Sequence, residues 1–542
     1  MQCRKYARMS FKPSCKEKIN HKKIRSKTGS NSNACITILI ALAFLSIAPE
    51  KSQAEPITLQ ETVLGALKNN LSIAVEEFNS KIKKQSIADS ESKFDPTVGI
   101  ELATKEKTNQ TSSAVAAVNK NRDQDTNWNL SLKQKLLTGA EYTVNFNNST
   151  NKTNSPNAGL NASYNAELEL NVTQPLLKNA GIEINRKDII IASNDVDISK
   201  NGFKEKVIEI ISTAETIYWD LVFSIKDLKV KQTSLERARD LERRVKAQVD
   251  VGTLAPIEIL QAQSDVASRE EALLSAEDLI QDNQDKLKNA LNISFSSKSG
   301  LEDLVPVDLP QFSEKFDMDV ESLLSIALKN RPDYLAKKVE LENKKIDVKY
   351  NENQLYPSLD LVGSLGLNGI SGKATPITRF SGGTVTSPYG GPYGESLSNM
   401  FSTDYYSWKF GIQLSYPLGN RGAESQLTAS RLEAAQLLMS LKDIENKILV
   451  EVREAARQIK TDIKRVQASR VASRLAEEKL SAEEKKFAVG LSTSFNVLTF
   501  QEDLAQSQST ENQALIDYNI SNIKLRKSLA TTLENHSINL DD

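Results

Sequence analysis

Cysteine and histidine are almost absent. The 542 residues hold Cys3, Cys15 and Cys35, and His21 and His536; past residue 54 only His536 is left. That removes Ser-His-Asp and Cys-His nucleophiles and the usual zinc and haem sites. It also means that an exported form would not be stapled by disulfides. Long apolar runs are scarce too. Ala34 to Ala48 is the one candidate, and with 39% hydrophobic and 26% charged residues the chain is too polar for a multi-helix membrane protein. Long water-exposed helices or a β-barrel, whose signal is weak per segment, remain. Glycine and proline are missing from all 66 residues between Ala423 and Ala488. As helix, that stretch is about 100 Å long at ~1.5 Å per residue.

The amino terminus has the layout of a secretory signal peptide, expected to cover residues 1–54. A Lys/Arg-rich segment precedes the apolar run, and Ser52-Gln53-Ala54 supplies a small-x-small cleavage site. The run falls short of the ~20 residues that span a bilayer. Cys35 begins the run instead of following it, which argues against a lipoprotein anchor. Cleavage takes 11 Lys and Arg and 2 Asp and Glu from totals of 69 and 70, leaving 58 against 68. A mature chain this acidic does not fit a nucleic-acid partner.

What is present comes twice. In Tyr406–Tyr416 the residues Tyr406, Trp408, Phe410, Ile412, Leu414 and Tyr416 alternate with Ser407, Lys409, Gly411, Gln413 and Ser415. Strict period two describes a strand with one apolar and one polar face. Pro417 ends it and the glycine-free run follows. Earlier, Leu160, Ala162, Tyr164, Ala166, Leu168, Leu170 and Val172 alternate with polar residues, Pro175 breaks the strand, and a helical run reaches Val251 through Gly202. The expected organisation is a first repeat 55–293, a linker 294–317, a second repeat 318–535 and a flexible tail 536–542. In the first, Glu61–Glu91 reads as one helix, strands lie within 97–173 and a long helical hairpin covers 182–293. In the second, a helix broken at Asn330-Arg331-Pro332-Asp333 leads to strands within 358–416 and a hairpin over 423–534.

The first repeat offers four strands: Val98–Leu102, Trp128–Leu136, Tyr142–Phe146 and Leu160–Thr173. Polar segments 105–125 and 147–159 read as long loops and Thr138-Gly139-Ala140 as a short turn; in the second repeat 368–404 reads as a loop. Long loops on one side and tight turns on the other are the asymmetry of outer-membrane barrels. In the helices, Leu441, Ile444, Ile448, Val452, Ala455, Ile459, Ile463 and Val466 advance by three or four, one stripe on a polar helix. A bilayer tolerates no open sheet edge, and the smallest outer-membrane barrels have eight strands. Six strands therefore cannot close alone, and several copies must contribute to one barrel.

At this point the chain resembles a TolC-type outer-membrane efflux protein, over about 58–534. The resemblance is carried by Ala327-Leu328-Lys329-Asn330-Arg331-Pro332-Asp333, the junctions at Pro175 and Pro417, the stretch Ile217-Tyr218-Trp219-Asp220-Leu221, and two helix-turn-helix tips. Those tips, at a shift of 238, share Val251/Val489, Gly252/Gly490, Leu260/Leu498, Gln263/Gln501, Asp265/Asp503 and Ala267/Ala505. The resemblance implies a mixed α and β membrane protein: a homotrimer whose barrel in outer-membrane lipid continues as a periplasmic helical barrel. It further implies an exit duct for an inner-membrane efflux pump or secretion ATPase, joined through a periplasmic adaptor. Val251, Gly252, Thr253, Leu254, Val489, Gly490, Leu491 and Ser492 would then form the entrance and adaptor-docking tips. Glu258, Asn496, Thr499, Glu502 and Asp503 are the candidate constriction. Family members commonly place carboxylates where this chain has Asn496 and Thr499.

The family has four strands per protomer, so the hairpin Trp128–Phe146 is extra. Twelve barrel strands are expected, with the hairpin extending or flanking them, although eighteen strands and twelve helices have similar perimeters of about 110–120 Å. The glycines from Gly366 to Gly372-Lys373 resemble a phosphate loop only superficially, because their spacing is wrong and Ala374 replaces Ser or Thr. Trp128, Tyr405, Tyr406, Trp408 and Tyr416 fit interfacial girdles. No catalytic, cofactor-binding or metal residue is expected. A duct for type I protein secretion is indistinguishable from one for small-molecule efflux. A periplasmic coiled-coil scaffold or adhesin without a pore is the competing reading.

Overall fold

The computed structural model describes residues 55–110, 120–294, 302–316, 319–378 and 382–540. The expected signal peptide lies outside the described residues. No helix among the described residues is long and apolar enough to cross a membrane.

Six strands form one sheet: β1 (Thr97–Gln110), β2 (Lys120–Lys135), β3 (Glu141–Thr153), β4 (Leu160–Pro175), β5 (Ser358–Ala374) and β6 (Tyr406–Ser415). They pair in chain order, all antiparallel, with β1 and β6 at the edges. Two consequences correct the sequence reading. The hairpin β2–β3 does not flank the other strands; it lies between β1 and β4. The strands also run on into the polar segments, so 105–110, 120–125, 147–153 and 368–374 are strand and not loop. Of the expected loop 368–404 in the second repeat, Tyr393–Phe401 folds as a helix that packs on β5.

The register explains the alternation. One row crosses all six strands as Val98, Leu132, Val144, Leu170, Leu365 and Trp408, and the next as Ile100, Leu130, Phe146, Leu168, Leu367 and Tyr406. On the opposite face the intervening row is Gly99, Ser131, Asn145, Glu169, Gly366 and Ser407. Period two has thus sorted the sheet into one apolar and one polar side. The apolar side has no protein cover at the edges: Ile100 is 75% and Phe410 69% exposed.

Below the sheet the helices are α1 (Leu59–Asn69), α2 (Leu71–Glu91), α3 (Lys187–Asp250), α4 (Ile257–Ala290), α5 (Val320–Asn330), α6 (Pro332–Asn353), α8 (Arg421–Ala488) and α9 (Ser494–Leu529), with α7 the helix Tyr393–Phe401 above. α3 and α8 are 64 and 68 residues long. Near the sheet they pack with α2 and α6, and farther down with α4 and α9, so four helices accompany one another throughout. The apolar stripe of α8 is the core: Ile448, Val452, Ile459 and Val466 are fully buried, against Ala327, Ala514, Tyr518 and Leu525.

The single helix expected over 61–91 is two, broken at Asn70. Its side chain caps α2 by accepting from Ser72 N at 2.9 Å and donates to Ala290 O at 3.2 Å. The matching break at Arg331 is held by Asp333 (Nη2···Oδ2 2.7 Å) and by Glu451, with Pro332 in the first turn of α6. The segment 302–316 lies along the helices. Leu304–Pro306 pairs in parallel with Glu55–Ile57, and Asp308 accepts from Tyr218 Oη at 2.7 Å and Leu59 N at 2.6 Å. The tail, expected to be loose, is packed as far as Leu540. Leu533, Ile538 and Leu540 lie against Val63, Ile73, Val207 and Ile211, and His536 contacts the buried Glu215 at 3.1 Å. Its polar sequence hid two apolar side chains, Ile538 and Leu540, that reach the core.

Candidate functional site: the helical tips and the sheet wall

The two long hairpins end in the same backbone device. At the first tip, Gly252 has φ +79° and donates to Val249 O at 2.9 Å, while Thr253 N donates to Gln248 O at 2.8 Å. At the second, Gly490 has φ +78°, donates to Phe487 O at 3.0 Å, and Leu491 N donates to Lys486 O at 2.9 Å. These paired bonds satisfy the last helical carbonyls, and a left-handed residue in the corner favours glycine. The next helices start on Pro256 and on Thr493, whose hydroxyl accepts from Asn496 N at 3.4 Å.

Apolar side chains project at both ends. Val251 is 75%, Val489 69% and Leu491 79% exposed, and Ile257 and Phe495 are exposed beside them. Leu254 turns inward instead and packs with Phe487, Val497 and Leu498. Ser492 donates to Glu483 Oε1 at 2.5 Å, and Lys486 reaches the same carboxylate at 3.0 Å. The hydroxyl bond first, and Lys486 after it, hold Glu483 below the usual carboxylate range.

The candidate constriction residues do not share one environment. Glu258 is half-buried and accepts from the buried Ser494, so it ties the first tip to the second. Thr499 bonds back to Phe495 O at 2.9 Å, and Asn496 reaches Ser492 Oγ at 3.4 Å. Glu502 and Asp503 are exposed on α9. Glu258 and Ser494 are brought together; Glu502 and Asp503 stand apart on the open face.

Sequence reasoning missed Arg269. On α4, and 9% exposed, it donates to Asp265 Oδ2 (2.7 Å), to Ser234 Oγ (2.7 Å) and O (3.2 Å) on α3, and to Leu498 O (3.1 Å) on α9. One guanidinium thus joins three helices just inside the tips. In sequence it is an ordinary i, i+4 Asp–Arg pair, and only its burial distinguishes it.

At the other end, the polar face of the sheet carries Asn129 Nδ2 on Glu101 (3.2 Å), Asn147 Nδ2 on Glu167 (3.2 Å) and Asn165 Nδ2 on Ser149 Oγ (3.2 Å). Gly366, Gly372 and Lys373 lie in β5 and form no phosphate loop. Among the described residues no group of three His, Cys, Asp or Glu is placed to hold a metal. The arrangement presents two-faced strands at one end and sticky, rigid turns at the other. It offers no reacting constellation among the described residues.

The outer membrane efflux protein family matches residues 323–531. The pyoverdine export outer membrane protein OpmQ of Pseudomonas putida is 24% identical over 328 residues, 59% of this chain and 61% of that protein; the match therefore spans about three fifths of the relative's length. The fold is that of the outer-membrane channel OprN (TM-score 0.62, 15% identity, 87% of this chain and 89% of that one). It is equally that of the CmeC outer membrane channel of Campylobacter jejuni (TM-score 0.61, 13% identity, 89% and 90%). The outer membrane efflux protein family thus matches the second repeat, and the fold of the described chain is that of solved outer-membrane channels.

Proposed function

We propose that three copies of the chain assemble into the exit duct of a tripartite efflux or type I secretion system. In this reading the duct is passive. Cargo is delivered by an inner-membrane transporter and passes through an adaptor seated on the tips Val251–Leu254 and Val489–Ser492. The observation that carries the proposal is the sheet. Its apolar rows need lipid, its polar rows need water, and β1 and β6 each expose an unpaired edge. Inside a bilayer such edges must be closed, and only neighbouring copies can close them without burying the polar face. The four accompanying helices per copy then continue the wall into the periplasm. Apolar side chains at the tips supply the kind of surface that docks helical partners. Pyoverdine export by the Pseudomonas relative makes a small secreted molecule one cargo class to try first.

Planar-bilayer recording of the purified protein tests this. A duct gives discrete, long-lived conductance steps. A pore-free scaffold gives a quiet membrane at every protein concentration, and that result would end the proposal.

A further inference from the structure

We infer that the hairpin β2–β3 is part of the barrel wall, so that the closed barrel has eighteen strands. This rests on the trimeric reading above. The ladder leaves the hairpin no other place. β1 pairs with β2 from Thr97↔Lys133 to Gln110↔Lys120, and β3 with β4 from Glu141↔Thr173 to Asn151↔Ser163. β1 and β4 make no pairing with each other. Hairpin residues complete the apolar rows without a gap (Leu132 and Val144 in one, Leu130 and Phe146 in the next), and Ser131 and Asn145 complete the polar row between them. A hairpin lying outside the wall would place one of these faces against the wrong solvent.

The turn is also fixed where a wall turn belongs, at the junction with the helices. Leu136 N donates to Ala140 O at 2.7 Å and Gly181 N to Thr138 O at 3.2 Å. Gly139 has φ +93°, and a Cβ there would stand 2.4 Å from Asn179 O and 2.8 Å from Asn185 Nδ2. Gln134 Nε2 on β2 donates to Phe94 O at 2.9 Å, just before β1.

Perimeters agree. Eighteen strands ~4.8 Å apart and tilted ~40° close at about 113 Å, whereas twelve close at about 75 Å. Three copies supply twelve helices at each level, which at ~9 Å spacing need about 108 Å. The wide barrel measures about 36 Å across the backbone, the regime of open aqueous lumens.

Cysteine pairs in the full-length protein, expressed in outer membranes, test the count. Paired residues on antiparallel strands have Cα atoms ~4.5–5.5 Å apart, within disulfide reach. Ile100→Cys/Leu130→Cys and Phe146→Cys/Leu168→Cys should oxidise nearly completely within each copy of a trimer. Ile100→Cys with any of Ala166→Cys, Leu168→Cys or Leu170→Cys should not. All these positions lie on strand faces where single substitutions leave the ladder intact, and each single cysteine serves as the folding control. A trimer in which the β1–β4 pairs oxidise and the hairpin pairs stay reduced has twelve strands, and the inference is wrong. Monomers in mild detergent would instead overturn the trimeric duct itself, and the count with it.

Discussion

Arg269 is the side chain whose removal should loosen the tips most. Substitution by methionine keeps much of the stem's volume but deletes four hydrogen bonds to three helices. Asp265, only 20% exposed, loses its cation, and the Ser234 hydroxyl loses its partner. Breaking a largely buried ion pair by removing one member costs about 3–5 kcal/mol. The lower figure applies here because Asp265 keeps some water. A loss of about 3 kcal/mol corresponds to roughly 100-fold faster opening, since ~1.4 kcal/mol is tenfold. Hydrogen exchange of the amides in 494–504 reads it directly, and these amides should exchange about 100-fold faster in Arg269→Met. Glu270→Ala is the control. It removes the exposed Arg239–Glu270 pair (2.6 Å) and should change the same amides less than about fivefold, as exposed pairs contribute up to ~1 kcal/mol. If Arg269→Met exchanges like the wild type, or no faster than Glu270→Ala, the guanidinium does not hold the helices together.

Phe410→Arg on the apolar face should cost about 2–4 kcal/mol per copy and abolish assembly into outer membranes. Lys409→Glu on the opposite face should assemble normally and shift ion selectivity toward cations; fractionation and reversal potentials measure the two. Gly369→Ala would place a Cβ 1.9 Å from Ser396 O and 2.6 Å from Met400 N, so helix α7 must lift. Protease added to intact cells should then cut within 393–405 while leaving wild-type protein whole. At Asp333, burial pushes the carboxyl up, but the hydrogen bonds and charge of Arg331 outweigh it and hold it low. A folded value below the unfolded ~3.9 gives stability that is present above pH ~4 and lost as pH falls through the folded value. Asp333→Asn should therefore lower the melting temperature at pH 7 and flatten the acid limb below pH ~4; an unchanged limb would show that the pair contributes nothing.

The strands were legible where one face had to be apolar. Alternation at Tyr406–Tyr416 and Leu160–Val172 is forced by lipid on one side and water on the other. Beyond the apolar rows both faces are wet, so Lys105–Gln110 and Lys120–Asp125 carry no alternation and read as loop although they are strand. The tips were legible because a glycine in the left-handed corner recurs at a constant shift, and the coiled-coil stripe because its spacing recurs. The break at Asn70 escaped notice because asparagine caps without the warning that Pro332 gives in the second repeat. Helix α7 was hidden in a glycine-rich stretch, where Leu397, Met400 and Phe401 give only a short i, i+3, i+4 signal. The contact between Glu258 and Ser494, and the reach of Arg269 to Leu498, depend on how two hairpins pack, which no local pattern encodes.

Contact between the two open edges tests the central claim most directly. Single cysteines placed along 97–103 in β1 and along 407–413 in β6, combined pairwise in one chain, would capture neighbouring copies wherever the edges meet. The account predicts one register at which oxidation yields a covalent three-chain ring, resistant to denaturant and collapsed to monomer by reductant. Failure of every pairing to link chains, in membranes where the protein is folded and inserted, would contradict it.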